Sequence, residues 1–420
     1  MTSRTFILLA LLLSAAPVFS QRPVPAKAQT GNILITGATA HLGNGEVIAN
    51  SAISFENGKL SMVADAATVR LDRTKFTKVV DAAGKHVYPG FIAPGTRLGL
   101  VEIDAARATV DFSDVGAYNP NLRTLVAYNT DSDVLPTVRS NGILMTQPAP
   151  EGGIISGTSS VVQLDAWNWE DAAYKTDDAI WLNWPSARSG SSKNEQYDKE
   201  IQDIRRLFDE AKAYAKQASP ETKNLKLEAM KGLFDKKQSL FIRTGNARTI
   251  QDAVLFAESM GVSPVIVGGE ESWRITDFLK SHNTPVVLFP PQSLPRRDDD
   301  DVDQAYKTGT QLHEKGILFT ITGIGGWRQR NLPFQAGQMC AYGLPREAAV
   351  SAVTLNAAKI LGIDKTCGSL EVGKDATLFI SEGDALDMLT CVVTQAFIQG
   401  REISLDNKHK QLARRFSEKY

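Results

Sequence analysis

The stretch SLFIRTGNARTIQDAVLFAESMGVSPVIVGGEESWRITDFLKSHNTPVVLF, Ser239 to Phe289, sets short apolar runs between amphipathic ones. Ser239–Ile242, Pro264–Val267 and Pro285–Phe289 read as strands, and the segments between them as helices. Working outward, Val161–Leu164 and Gly316–Ile321 add strand-like runs. The clearest helix begins near Tyr197, where Ile201, Ile204, Leu207, Phe208, Ala211, Tyr214 and Ala215 recur at three- and four-residue spacing. Strand-then-helix alternation from about residue 89 to 365 calls for a parallel sheet. Its size favours an α/β fold closed as a (β/α)8 TIM-like barrel over an open doubly wound sheet. In either fold, function sits beyond the C-terminal ends of the strands.

Both ends of the chain have a different texture. GNILITGATAHLGNGEVIANSAISFENGKLSMVA (31–64) shows short alternating runs broken by Gly and Asn, with Asn57-Gly58 a hairpin signal. GSLEVGKDATLFISEG (368–383) and CVVTQAFIQGREI (391–403) give further strands near the other end. The two ends are expected to pair into one small β-sandwich domain around the barrel. The division is then 1–20 as a signal peptide, 21–88 and 366–405 as the two parts of the sandwich, 89–365 as the barrel, and 406–420 as a charged C-terminal tail.

Composition is that of an ordinary globular protein. Forty-six basic against 47 acidic residues leave a formal charge of −1, so no field of one sign points to nucleic acid or an anionic membrane. Arg4, the apolar run Phe6–Leu13 and the small-residue-rich Ala15–Ser20 have the layout of a cleaved secretory signal. The expected location is therefore periplasmic or secreted, with no membrane insertion of the mature chain. Cys340, Cys367 and Cys391 match no metal or redox spacing; a buried apolar role suits them, with one disulfide as the alternative.

Beyond these patterns, VVDAAGKHVYPGFIAPGTRLGLVEI (79–103) resembles the entry segment of the amidohydrolase superfamily, in particular its imidazolonepropionase-like branch. GIISGTSSVVQLDAWNW (153–169) is similar to that branch's glycine-serine loop. NLPFQAGQMCAYGLPREAAVSAVTLNAAKILGI (331–363), followed by GSLEVGKDATLFI, resembles the closing helices and the return to the β-domain. The resemblance implies a metal-dependent hydrolase barrel with a β-sandwich made from both ends, and hydrolysis of carbon–nitrogen bonds.

The same resemblance locates the expected metal ligands, and this sequence lacks them. Members that hydrolyse amides carry a His-x-His pair after the first barrel strand; following PGFI, Gly95 and Arg97 stand in those positions. The histidine after strand five falls at about Arg243, the one after strand six at about Gly268, and the strand-eight aspartate near Gly323. The five histidines of the chain, His41, His86, His282, His313 and His409, include no pair at ligand spacing. Arginine stays protonated and has no lone pair to give. Two unit charges at about 4 Å repel by about 4 kcal/mol at an effective dielectric near 20, and a dication beside one guanidinium meets roughly twice that. No metal and no cofactor are therefore expected.

The remaining motifs read as structure first. The acidic run Arg296–Asp303 lacks the spacing of a calcium loop, Gly153–Gly157 is not a nucleophile elbow, and Thr322–Arg330 lacks a phosphate-loop lysine. Trp167, Trp169, Trp181 and Trp184 suit either packing on the barrel rim or an interface. Arg97 and Arg243, at the ends of strands one and five, are the candidate ligand site with Gly95, Gly268 and Gly323. Two cations there suit a carboxylate or phosphate, unless protein carboxylates such as Glu102 or Asp111 neutralise them. Three functions compete: a noncatalytic binder of a small, anionic ligand or of a catalytic homologue or second copy; a hydrolase of cyclic amides or small peptides; and a structural protein, which predicts a barrel filled by side chains.

Overall fold

The computed structural model describes residues 24–189, 192–217, 220, 222–295 and 297–419. The expected signal segment and Arg296 lie outside the described residues.

The strands are, in order, β1 (Ile33–His41), β2 (Val47–Glu56), β3 (Lys59–Asp65), β4 (Lys78–Asp81) and β5 (His86–Pro89). There follow β6 (Phe91–Thr96), β7 (Ile143–Pro148), β8 (Ile155–Gln163), β9 (Ala173–Asn183) and the two-residue β10 (Arg188–Ser189) and β11 (Ser192–Lys193). β12 (Ser239–Thr244), β13 (Pro264–Gly268), β14 (Val286–Leu288) and β15 (Phe319–Ile321) lead to β16 (Leu378–Ser381), β17 (Val393–Ile398) and β18 (Arg401–Glu402).

Both chain ends meet in one sheet, β18-β17-β16-β5-β1-β2-β3, with β4 also beside β1. The expected β-domain is thus present, built as a single branching sheet. Asn57 and Gly58 turn β2 into β3 with φ of 51° and 78°, the positive pair a tight hairpin requires. The chain returns from the barrel by pairing Leu378 with Pro89 and Phe379 with Tyr88, antiparallel to β5.

The second sheet, β15-β14-β13-β12-β9-β8-β7-β6, has the eight strands of the expected barrel. Its side chains alternate. Leu240, Ile242, Ile266 and Val286 face the surrounding helices, whereas Ile92, Met145, Val161, Phe241, Val267 and Val287 meet in one inner cluster with Trp181. The seam between β15 and β6 is closed by Ile92 N–H to Val353 O (2.9 Å), Thr320 Oγ1 to Ala352 O (2.7 Å) and the Thr322 hydroxyl donating to Pro94 O. The helix Leu355–Leu361 closes the N-terminal end of the lumen, with Ala357, Ala358, Ile360 and Leu361 in the inner cluster.

One strand departs from the (β/α)8 pattern. β8, third around the barrel, runs antiparallel to β7 and to β9, while every other neighbouring pair is parallel. The segment read from sequence as a glycine-serine loop is therefore largely this strand, buried throughout. Its reversal brings the turn Ala149–Ile154 to the mouth in place of a βα loop.

A buried ion cluster joins the parts. Asp165 accepts from Arg139 Nη1 (2.7 Å), Arg401 Nη1 (3.0 Å) and Ala26 N (2.9 Å), tying barrel, β18 and the N-terminal segment together. Within the charged tail, Lys408–Ser417 is a helix whose cap Asn407 accepts from Lys410 N (2.9 Å).

Candidate functional site

At the C-terminal ends of β9 and β12, Asn183 and Arg243 lie side by side in register. Alternation from Phe241 turns Arg243 into the lumen, where its guanidinium lies 4.4 Å from the centre of the Trp181 ring. That ring is fully buried. Arg243 donates to Pro150 O (2.8 Å) and Asn183 Oδ1 (3.3 Å). Burial pulls its pKa down to about 10, with Glu151 opposing that effect and Arg97 adding to it. It remains a cation at neutral pH.

Arg97 is held differently. Its Nε donates to Glu151 Oε1 (2.8 Å), its Nη2 bonds the other carboxylate oxygen, and its guanidinium lies 4.0 Å from the Phe112 ring centre. The sequence reading proposed Glu102 or Asp111 as the counter-charge. The structure assigns that role to Glu151, which the turn before the reversed strand delivers. Arg97, Glu151 and Arg243 thus form one group with two cations and one anion.

Gly95 completes this group by what it lacks. Its φ is 63°, and a Cβ built on it would come 2.8 Å from Trp181 Cη2. The indole fills the space that a side chain at 95 would enter. Below it runs a buried polar chain: Gly95 N–H donates to Gln147 Oε1 (3.1 Å), Gln147 Nε2 to Asp178 Oδ2 (2.6 Å), and Ser159 Oγ to Asp178 Oδ1 (2.7 Å). Burial raises the Asp178 pKa to about 6, against the lowering effect of these bonds.

The other two candidates stand apart. Gly268 is surrounded by Phe289, Glu270 and Thr244 O and borders a separate small cavity with Leu288 and Gln304. Gly323 is sealed by the buried Gln329, whose amide exchanges hydrogen bonds with the Gly323 backbone (3.2 and 2.8 Å). The five candidates therefore do not lie together; Gly95, Arg97 and Arg243 do, with Glu151 and Trp181 as the members the sequence reading missed. A strict two-residue alternation outward from Ala179 would have placed Trp181 in the lumen.

The implied metal does not fit these residues. Glycine offers no ligand, both arginines are cations, and the space beside Gly95 is taken by carbon. Among the described residues no group of three or more His, Cys, Asp or Glu side chains is placed to hold a metal ion. His41 is engaged with Glu347 (2.7 Å) and His86 (3.0 Å), His282 with Glu258 (2.7 Å), and His409 with the Trp327 ring. The three cysteines are free thiols. Of the tryptophans, Trp181 and Trp184 pack and Trp167 is exposed. In the acidic loop, Asp300 pairs with Arg274, and Asp301 and Asp303 with Lys307 (3.0 and 2.7 Å).

A barrel closed by helices after its eighth strand, with a sheet from both chain ends, is the architecture that the resemblance read in the sequence implies. Residues 330–403 match the sequence profile of the Amidohydrolase family. The fold is similar to that of an amidohydrolase from Thermotoga maritima, at 23% identity over 89% of this chain and 99% of that one, with a TM-score of 0.78. It is also similar to molinate hydrolase (13%, 90% and 96%, TM-score 0.56) and to a prolidase from Bifidobacterium longum described as putative (16%, 93% and 99%, TM-score 0.55). No curated protein matches the sequence. The closing segment thus carries the Amidohydrolase profile, and the chain shares the fold of these solved structures.

Proposed function

We propose that this chain is a noncatalytic, metal-independent member of the amidohydrolase superfamily that binds a small anion at the barrel mouth, in the periplasm or outside the cell. The observation that carries this reading is Arg243. Its cationic head lies on the Trp181 face and bonds neutral oxygens, while Glu151 is spent on Arg97. One positive charge is thus left over in a partly enclosed place, suited to a carboxylate.

The lumen is filled by side chains, as a purely structural protein requires, but barrels of this class are packed inside whatever their function. The hydrolase reading is supported by the names of the fold neighbours, and it lacks residues to carry the usual chemistry. Function follows the site and not the fold.

Calorimetric titration of the mature chain with succinate and inorganic phosphate tests the proposal. Binding should occur and should weaken at least tenfold in Arg243→Met; equal affinity in the two proteins overturns it. Amide turnover that rises with added zinc would restore the hydrolase reading. Export is tested separately by N-terminal sequencing of the native protein, with a start near Gln21 expected.

A further inference from the structure

The near-neutral charge of the whole chain conceals a local concentration. Between Lys408 and Lys419 there are five Lys or Arg residues and one Glu. The helix Lys408–Ser417 carries most of them, and it buries none of its residues. Its start is anchored: the buried Asn407 donates to Ser140 Oγ (3.3 Å), Lys408 reaches Asp133 (3.5 Å), and the His409 ring meets Trp327 edge to face at 5.5 Å. Arg414 folds back on Asp406 (2.9 Å). Past this root, Leu412 and Phe416, one turn apart on one face, are 38% and 59% exposed. A ten-residue helix without tertiary burial is marginal in water, so an exposed apolar pair on it is a face awaiting a cover.

We infer that this helix docks the protein on an anionic lipid surface, with Leu412 and Phe416 entering the interface among basic side chains. Charge complementarity chooses this occupant. The chain's own acidic loop, the obvious partner in a second copy, already pairs Asp300, Asp301 and Asp303 internally. An apolar pair flanked by Lys and Arg is the pattern of a helix lying in the headgroup region. Trp327 and Ile324, 36% and 51% exposed, extend the apolar surface beside the helix root. No described helix is long and apolar enough to cross the bilayer, so the docking is peripheral.

The test is co-sedimentation of the full mature chain with vesicles of phosphatidylcholine mixed with phosphatidylglycerol, against vesicles of phosphatidylcholine alone. Binding only to the anionic vesicles is expected, weakening with added salt and falling about tenfold in Phe416→Ser and in Arg415→Glu. Both changes are at exposed positions, and unchanged thermal melting will show that the fold is kept. No sedimentation with anionic vesicles, or equal sedimentation of Phe416→Ser, overturns the inference. So does a self-associated chain in centrifugation that Phe416→Ser makes monomeric, since a second copy would then be the cover.

Discussion

The Trp181 ring occupies the space that any side chain on Gly95 would need. A Cβ there would come 2.8 Å from Cη2, at a φ of 63° that L-residues rarely adopt. The vacant ligand position and the tryptophan are thus two sides of one packing arrangement.

Gly95→Ala should therefore destabilise the chain by about 2 kcal/mol or more, through backbone strain and overpacking together. In a Trp181→Phe background the steric part of that loss should shrink while the strain remains. Urea unfolding of the four proteins measures the coupling. Additive losses would mean that the ring is not the obstacle.

Exchanging Arg243 for methionine should leave stability unchanged or raise it, because a buried cation bonded to neutral oxygens is replaced by a side chain that packs on Trp181. Glu151→Gln should act oppositely on function. It removes the one anion of the group, costs about 1 kcal/mol for a partly exposed ion pair, and tightens anion binding. Thermal melting and calorimetry on both variants separate the two effects.

Asp178 gives a pH dependence of definite sign. Its folded pKa of about 6 stands above the ordinary carboxyl value of 3.8. Its contribution to stability is fully present below about pH 3.8 and is lost as pH rises through 6. The difference is about 3 kcal/mol. Asp178→Asn should flatten the stability profile across that window, measured by urea unfolding at several pH values; an unchanged slope would place the titration elsewhere.

Asp165 should prove the most sensitive of the ion-pair carboxylates. Asp165→Asn leaves Arg139 and Arg401 facing each other without their anion, with an expected loss of about 3 kcal/mol or more. Arg401→Met, removing a cation instead, should cost less. Denaturant midpoints compare the two.

Much of this architecture can be read in the sequence, and the reason is periodicity. The alternation from Ser239 to Phe289 gives β12, β13 and β14 to within two residues at each end, and Asn57-Gly58 fixes its hairpin because few residue pairs accept two positive φ values. The direction of β8 could not be read that way, since a run such as Ile155–Gln163, buried on both faces, looks the same in either direction. Glu151 as the partner of Arg97 follows from that reversal and was hidden with it. The tail looked like solvated charge because its helix is held by the Asn407 cap and not by an apolar stripe facing the core. Asp178 stood out by no local pattern; only its neighbours across three strands make it unusual.

The reversed strand also bears on how the chain folds. Parallel neighbours in a barrel can pair only after a long crossover is closed, whereas β7, β8 and β9 form a meander from residue 143 to 183 whose two links are short. Local pairings of this kind close short loops and cost less chain entropy than parallel ones. By running backwards, β8 gives the barrel a three-stranded pairing that is local in sequence, where a uniformly parallel sheet would have to draw its neighbours from distant parts of the chain.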